Sequence, residues 1–340
     1  MSAASLAAAA AEWLPLPDRL TRAGIAVLVG RTNRKLARGG GEIEGDFAAA
    51  MTRHPITMHA AAANAQHYEL PPDFFRLVLG PRLKYSCCLY DGTATLAEAE
   101  ERALAETATH AELADDQRIL ELGCGWGSLT LWMAERFPSA EIVAVSNSHG
   151  QRAFILAEAV RRGLRAPTVI TADMNSFSID RRFDRVVSIE MFEHMSNWRA
   201  LLERIHDWLA GDGRLFLHVF SHCSTPYRFD HGDPDDWIAR HFFTGGVMPS
   251  HGLIRRLEAP FAVEEEWRWS GVHYQRTAED WLANYDAHTA SIFDILRRVY
   301  GGAAALWMRR WRLFFLATAE LFGAAHGEAW GVSHYRLRPR

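Results

Sequence analysis

The chain has 340 residues, of which 49% are hydrophobic, and a formal net charge of −4. This length allows one large α/β core, while the absence of an eighteen-residue apolar run and the dispersed arginines argue against a membrane span and a nucleic-acid partner. The four cysteines lack the spacing of a disulfide framework or a zinc site. We therefore expect a cytoplasmic protein that acts on small molecules, with no metal and no stable membrane insertion.

The first 80 residues are predicted to form a helical N-terminal extension. Apolar residues recur at helical spacing from Leu20 to Leu28, glycines at 39–41 interrupt the pattern, and a second helix is expected near 72–79. The remaining residues, 81–340, form the predicted main domain.

From about residue 96 strands alternate with helices, which is the pattern of a doubly wound parallel sheet. The carboxyl ends of its strands should converge on one crevice, at a switch point beside the first strand. The predicted strands cover residues 118–122, 141–146, 167–171, 183–189 and 214–220, and the predicted helices cover residues 96–113, 127–136, 150–162 and 198–209.

A glycine-rich turn follows the first strand, where Gly123, Gly125 and Gly127 alternate with other residues. Glycine lets the backbone approach a ligand closely, and this spacing differs from the Gly-x-Gly-x-x-Gly dinucleotide fingerprint. With Glu121 two residues before the first glycine, the turn fits the Glu/Asp-x-Gly-x-Gly pattern of S-adenosylmethionine (SAM) methyltransferases. A purely structural turn or another nucleotide is the alternative.

Polar residues follow the second and third strands. The second strand ends in Ser146-Asn147-Ser148 rather than in the acid that usually binds a ribose, so Asn147 and Gln151 are expected to supply those hydrogen bonds. After the third strand, Asp173 suits an adenine amino group, and the thioether of Met174 suits the ring. A helix N-cap is the alternative role for Asp173.

The fourth strand is followed by two carboxylates and an imidazole within five residues, Glu190, Glu193 and His194. At the carboxyl end of a buried strand such groups are partly desolvated, so we interpret them as a cluster for proton transfer. The fifth strand carries His218 and His222 without a third ligand at metal spacing, which favours a hydrogen-bonding His218.

The C-terminal third is rich in aromatic residues, proline and glycine. Residues 224–280 are predicted to form a substrate-covering insertion with a further strand near 262–269. A helix from about residue 305 carries an aromatic stripe that we assign to core packing, and residues 329–337 alternate like a last strand.

Taken together, the chain resembles the branch of SAM-dependent methyltransferases that holds the cyclopropane fatty acid synthases and the plant coclaurine-type N-methyltransferases. The resemblance extends from about His67 to the C-terminus. It rests on His67-Tyr-Glu-Leu…Asp73-Phe-Phe, Lys84-Tyr-Ser-Cys87, Leu122-Gly-Cys-Gly-Trp-Gly-Ser128, Ser188-Ile-Glu-Met-Phe-Glu-His194-Met and Phe242-Phe-Thr-Gly-Gly…Met248-Pro-Ser. It implies a class I α/β fold with a Rossmann-like seven-stranded sheet, in which residues 224–325 contain the substrate-covering insertion.

The resemblance also implies roles for individual residues. Tyr85 and Ser86 would close over SAM, Gly123 and Gly125 would line it, Asn147 and Gln151 would hold the ribose, and Asp173 and Met174 would frame the adenine. In the N-methyltransferase branch, Glu190, Glu193 and His194 would bind and deprotonate an amine. In the cyclopropane synthases an overlapping set, here Glu193, His218, Tyr274 and the main chain of Cys87, would hold a bicarbonate.

Three stretches favour the amine branch, namely Tyr85-Ser-Cys-Cys88, Glu193-His-Met-Ser-Asn-Trp198 and Glu320-Leu-Phe-Gly…Gly327-Glu-Ala-Trp330. The predicted function is N-methylation of a small aromatic or cyclic amine with SAM as cofactor. The alternative is methylene or methyl transfer to an unsaturated fatty acyl chain, with bicarbonate as the base. The sequence leaves the acceptor and the oligomeric state open, and it is compatible with a homo-oligomer.

Overall fold

The structure, a computed structural model, describes residues 12–14, 16–37, 41–58, 70–92, 94–233 and 235–340. His67 and Tyr68, which begin the first motif of the resemblance, lie outside the described residues. None of the helices in the described ranges combines the length and the hydropathy that a membrane span requires.

Nine strands are present in the described residues. They are β1 (Arg118–Leu122), β2 (Glu141–Ser146), β3 (Thr168–Thr171), β4 (Phe183–Ile189), β5 (Leu209–His222), β6 (Tyr227–Arg228), β7 (Val247–Met248), β8 (Phe261–Ser270) and β9 (Trp330–Pro339). Seven of them form one sheet in the order β3-β2-β1-β4-β5-β9-β8, and β6 pairs with β7. The pairs within β1 to β5 are parallel, whereas β9 runs antiparallel to both β5 and β8. This confirms the predicted Rossmann-like seven-stranded sheet.

The parallel strands are short apolar runs, as expected for strands covered on both faces. Residues 142–145 of β2 are buried, as are residues 119–122 of β1. Because the strand order reverses between β1 and β4, the carboxyl ends of these two strands flank a crevice at the edge of the sheet. The site lies there.

The longer helices cover the sheet and build the C-terminal layer. They are α1 (Asp18–Leu36), α2 (Gly41–Met51), α3 (Pro72–Val78), α4 (Leu96–His110), α5 (Ser128–Arg136), α6 (His149–Arg161), α7 (Trp198–Trp208), α8 (Trp237–His241), α9 (Gly271–Ala287), α10 (Thr289–Tyr300) and α11 (Ala304–Gly323). A capping box of Thr95 and Glu98 starts α4. This helix ends at His110, before the predicted residue 113, and Glu112 just beyond it has a left-handed φ of +52°.

The predicted insertion, residues 224–325, is divided by β8, which belongs to the main sheet. Before β8 lie β6, β7 and α8, and after it lie the helices α9, α10 and α11. The aromatic stripe of α11 is core, since Trp311 and Phe315 are both fully buried. The N-terminal helix α1 is attached to this layer by Arg22, whose guanidinium bonds the carboxylates of Glu279 and Glu320 at 2.6 and 2.9 Å.

Candidate active site

A cavity of about 780 Å³, including space open to solvent, lies at the carboxyl edge of the sheet. It is lined by six residues predicted to bind the cofactor, Gly123, Gly125, Asn147, Gln151, Asp173 and Met174, together with Glu190 and His194. The lining also includes residues to which the sequence assigned no role, among them Thr57, Met191, Met195, Thr244 and Gly245. Three neighbouring strand ends and the glycine turn thus meet around one space.

The glycine turn needs glycine for two different reasons. Gly123 has a φ of +81°, and a Cβ there would lie 2.6 Å from Cβ of Met191, so close packing excludes a side chain. Gly125 also has a positive φ, +52°, but its Cβ would meet no described atom within 4 Å. The N–H groups of Gly123 and Cys124 both donate to the carbonyl of Val145 at 3.0 Å, which fixes the turn against β2. Gly125 therefore faces open space in the cavity.

Gln151 offers a donor to a ligand in this cavity. The hydroxyl of Ser146 donates to its Oε1 at 2.6 Å, whereas its buried Nε2 has no hydrogen-bond partner among the described residues. An unsatisfied buried amide is costly, so it indicates a missing acceptor. A ribose hydroxyl supplies one, and the residues present fit a nucleoside cofactor in this respect.

Asp173 lines the cavity and also serves its own turn, because its Oδ1 accepts the N–H of Asn175 at 2.7 Å. Its carboxylate is exposed, and Met174 beside it is buried. The capping role and the ligand-facing position are therefore compatible in one side chain.

Glu121, the acid of the sequence pattern, lies behind the turn and is not among the residues that line the cavity. Its Oε2 accepts the hydroxyl of Thr130 at 2.5 Å, which ties β1 to α5. Burial raises the pKa of Glu121 to about 8, although the hydrogen bond from Thr130 acts in the opposite direction. The pattern thus marks a buried structural acid.

Glu190 is at the centre of the polar cluster, and its side chain is 8% exposed. Its Oε1 accepts the backbone N–H of Cys87 at 2.9 Å and lies 3.2 Å from Nε2 of His218, while its Oε2 accepts the hydroxyl of Tyr274 at 2.7 Å. Burial raises the pKa of Glu190, whereas the charge of Lys84 lowers it. The three groups that the resemblance assigned to bicarbonate thus contact a carboxylate of the chain itself.

Glu193 is fully buried beside this cluster and is not among the residues that line the cavity. Its Oε1 accepts the N–H of Phe220 at 2.6 Å, and its Oε2 has no hydrogen-bond partner in the part of the chain that the structure describes. Burial and the neighbouring charge of Glu190 raise the pKa of Glu193 well above its usual range. The side chain holds a proton, or awaits a cation, close to the methyl-transfer pocket.

A second cavity of about 740 Å³, again including open space, adjoins the first and is mostly aromatic. Glu190 and His194 line both cavities, so they form the shared wall. The ring of His194 lies against Phe243 with centroids 4.4 Å apart. The other lining residues include Tyr85, Phe220, Phe229, Ile238, Met248, Tyr274, Trp281, Phe314 and Phe322. This volume is in the range of small-molecule sites.

The structure places the two residues predicted to close over SAM away from the first cavity. Tyr85 lines the aromatic cavity, and Ser86 is buried, where its hydroxyl oxygen accepts from Nζ of Lys84 at 2.5 Å. Lys84 also donates to the carbonyl of Cys87 at 2.6 Å. The roles of Tyr85 and Ser86 toward SAM stay predictions.

Several functional candidates escaped the sequence. Lys84 and Thr244 stand inside motifs that were quoted without a role for them, so their signal was present. His110 and His334 gave no such signal, because only the pairing of β5 with β9 brings His334 opposite His218. Within the described ranges, no group of three or more His, Cys, Asp or Glu side chains is arranged to hold a metal ion.

Comparisons with known proteins agree with this geometry. A model of the mycolic acid cyclopropane synthetase family matches residues 56–330. An (S)-coclaurine N-methyltransferase from Thalictrum flavum subsp. glaucum is 36% identical over 291 residues, covering 84% of this chain and 81% of that enzyme. A cyclopropane-fatty-acyl-phospholipid synthase from Escherichia coli (strain K12) is 28% identical over 269 residues, covering 78% of this chain and 66% of that enzyme.

Solved structures give the same assignment. The crystal structure of coclaurine N-methyltransferase bound to N-methylheliamine and SAH has a TM-score of 0.90 at 31% identity and covers 97% of both chains. The cyclopropane synthase MmaA2 from Mycobacterium tuberculosis has a TM-score of 0.69 at 24% identity, covering 84% of this chain and 99% of that one, which supports the fold alone. The chain belongs to the mycolic acid cyclopropane synthetase family and is a SAM-dependent methyltransferase.

Proposed function

We propose that the enzyme transfers the methyl group of SAM to the nitrogen of a small aromatic or cyclic amine. The observation that carries the proposal is the shared wall of the two cavities, where Glu190 and His194 face both the cofactor side and the aromatic side. Carboxylate and imidazole groups at such a wall suit an ammonium group, and aromatic rings suit the rest of the molecule.

For the cofactor, we assign the first cavity to SAM. Gly123 and Gly125 line its amino-acid part, Asn147 and Gln151 hold the ribose, and Asp173 and Met174 frame the adenine. The unsatisfied Nε2 of Gln151 and the open space beside Gly125 support this assignment. When bound, SAM supplies an electrophilic methyl group on a positively charged sulfur.

The chain must then align the nitrogen at about 3 Å from that methyl group and keep water out. An amine attacks only when it is neutral, so its ammonium form must first lose a proton. We assign this step to Glu193 and His194, with Glu190 adding negative charge. General-base help of this kind contributes on the order of 10² to 10⁴ in rate.

The arrangement around Glu190 favours the amine over the lipid substrate. The N–H of Cys87, Nε2 of His218 and the hydroxyl of Tyr274 would be the partners of a bicarbonate, and each contacts the Glu190 carboxylate. The higher identity to the coclaurine N-methyltransferase, 36% against 28% for the cyclopropane synthase, supports the same choice.

Transfer to an unsaturated acyl chain is the second candidate, and the apolar character of the aromatic cavity is the observation that favours it. That reaction needs a base to remove a proton from the alkylated chain, and it predicts that turnover falls when bicarbonate is depleted. The amine reaction predicts no effect of bicarbonate.

The proposal is tested with a panel of aromatic and cyclic secondary amines, with methylated products identified by mass spectrometry. We expect the Glu193→Ala variant to lower turnover on the order of 10² or more while SAM affinity stays nearly unchanged. The exposed Glu203, which pairs only with Arg199 on α7, provides the control Glu203→Ala with normal turnover. Wild-type turnover in Glu193→Ala would overturn the base assignment, and an amine panel that takes no methyl group would count against the proposed function.

A further inference from the structure

Three buried histidines form a continuous hydrogen-bonded row that starts at the active site. His218 on β5 is paired in register with His334 on β9, and Nδ1 of His218 lies 2.8 Å from Nε2 of His334. Nδ1 of His334 in turn lies 2.8 Å from Nδ1 of His110, the last residue of α4. The rings of His218 and His334 are fully buried, and His110 is 6% exposed.

Both ends of the row are carboxyl groups. At the inner end, Nε2 of His218 contacts Oε1 of Glu190 at 3.2 Å. At the outer end, Nε2 of His110 contacts Oε1 of Glu106 at 3.0 Å, and the Glu106 side chain is 41% exposed. The row therefore connects a carboxyl group in the methyl-transfer pocket with one in contact with water.

Tryptophans hold the rings in place. The ring of His110 stacks on Trp267 with centroids 3.8 Å apart and planes 6° apart, and His334 lies 4.3 Å from Trp269. Every ring nitrogen of the three histidines is used in the row, which is unusual for histidines that only fill a core. The contacts thus define a single path rather than a branching network.

The number of protons in the row follows from its contacts. Four hydrogen bonds link five groups, and each bond needs one hydrogen. Burial lowers the pKa of His218 and His334 well below the usual range and also lowers that of His110, so the rings are neutral and supply three hydrogens. The fourth hydrogen must be on one of the two carboxyl groups. Glu190 and Glu106 therefore hold it alternately.

We propose that His218, His334 and His110 relay a proton between Glu190 and Glu106, so that the charge of a carboxyl group in the pocket equilibrates with solvent through the protein. In the outward shift the O–H bond of Glu190 breaks as an N–H bond forms at Nε2 of His218. Nδ1 of His218 gives its proton to Nε2 of His334, Nδ1 of His334 gives its proton to Nδ1 of His110, and Nε2 of His110 gives its proton to Glu106. Glu106 releases it to water, and the reverse shift restores the starting state without any change of oxidation state.

Binding of SAM is the event that drives the outward shift. Glu190 lines the cavity assigned to SAM, and a cation close to a carboxyl group favours its ionised form. When neutral SAH leaves, the reverse shift returns the proton. The three histidines are positioning residues in this scheme, because they act through Glu190.

Other charged or titratable groups surround the row and contribute to its balance. Around Glu190 they are Lys84, Cys87, Glu193 and Tyr274, and around His110 they are Glu265 and Arg336. The Lys84 charge favours ionised Glu190, and the Arg336 charge opposes a positively charged His110. None of these groups interrupts the sequence of four contacts.

The relay is tested by stopped-flow mixing of the full-length enzyme with SAM in weak buffer containing a pH indicator. We expect the wild type to release up to about one proton per site, at a rate slowed by deuterated solvent. In His334→Gln the amide can keep both hydrogen bonds but cannot relay a proton, so the release should slow about tenfold or more. Glu106→Gln should slow it similarly, and Glu203→Gln, the matched exposed carboxylate with an i,i+4 partner, should behave as the wild type.

SAM affinity and thermal unfolding of each variant distinguish a lost relay from a lost fold, and His110→Gln replaces His334→Gln if the latter does not fold. Proton release at the wild-type rate in both His334→Gln and Glu106→Gln would overturn the relay, as would SAM binding without proton release in the wild type. The inference rests on the proposed SAM site but not on the amine. An enzyme that methylates amines without proton release on SAM binding contradicts the relay alone, and normal release without any methylated amine contradicts the proposed function alone.

Discussion

At the scale of single residues, the backbone of Glu190 has a left-handed φ of +46°, which is rare for a residue other than glycine. Such a conformation costs on the order of 1–3 kcal/mol and persists where surrounding contacts fix it. Here the N–H of Glu190 donates to the carbonyl of His218 at 2.8 Å, and three groups contact its carboxylate. The strain therefore places the charge at the wall between the cavities.

Replacing Glu190 with glycine separates the backbone from the carboxylate. Glycine accepts a positive φ without strain, so we expect Glu190→Gly to be at least as stable as the wild type, while amine turnover falls on the order of 10². Added bicarbonate or formate should restore part of the turnover, because the N–H of Cys87 and the hydroxyl of Tyr274 would then face an empty space. Turnover is measured with and without the anions, and stability by urea unfolding. Undiminished turnover without any anion would contradict the role given to this carboxylate.

Glu121 allows a test of stability against pH. Its pKa of about 8 in the folded protein is above the ordinary value of 4.5, so between these values the folded state holds a proton that the unfolded state has lost. The contribution is complete below pH 4.5 and is lost as pH rises through 8, with a slope of up to about 1.4 kcal/mol per pH unit.

In Glu121→Gln this dependence disappears. We expect the free energy of unfolding of the variant, relative to the wild type, to increase from pH 5 to pH 8, measured by urea titration at each pH. Taking the difference between the two proteins cancels the contributions of other titrating groups. Parallel curves across this range would show that Glu121 titrates normally.

At the scale of elements, the strand ends were largely predictable and the contacts between distant strands were not. The bounds of β1, β2 and β4 match the predicted ranges, because short buried apolar runs followed by glycine or polar residues are strong local signals. By contrast β5 extends from Leu209 to His222, well beyond the predicted 214–220. Its antiparallel pairing with β9 continues to His222, and no local pattern encodes such a long-range contact.

The same distinction applies to the site. Gly123, Gly125, Asn147, Gln151, Asp173 and Met174 come together because each follows a strand whose end was predictable. The left-handed φ of Glu190 and the row that joins His110 to His334 depend on tertiary packing, which single-sequence patterns do not contain.

The glycine turn provides a test at this scale. In Gly123→Ala the new Cβ would combine a φ of +81° with a distance of 2.6 Å to Cβ of Met191, whereas in Gly92→Ala it would have a φ of +72° and no described atom within 4 Å. Left-handed strain costs about 1–2 kcal/mol in both variants, and overpacking adds about 1–3 kcal/mol only at Gly123.

We therefore expect Gly123→Ala to lose more stability than Gly92→Ala in urea unfolding. SAM affinity should fall only in Gly123→Ala, because Met191 lines the cavity and must move. Equal losses in both variants would mean that the turn tolerates a side chain and does not press against Met191.

At the scale of the whole molecule, the sheet and the C-terminal helices contribute different halves of the site. The ends of β1 to β4 build the cavity assigned to SAM, and α9, α11 and the segment between β5 and β8 supply most of the aromatic cavity. Glu190 and His194 belong to both halves. The acceptor is therefore held mainly by elements that are separate from the cofactor-binding strands.

The central claim is that the nitrogen of an amine, rather than an acyl chain, receives the methyl group. The most direct measurement incubates the enzyme and SAM labelled in its methyl group with a panel of cyclic and aromatic amines and unsaturated phospholipid vesicles together, and then counts the label in the aqueous amine fraction and in the lipid extract. We predict that the label appears in the amine fraction and is unaffected by bicarbonate depletion. Label found only in the lipid extract, and lost when bicarbonate is removed, would contradict the claim.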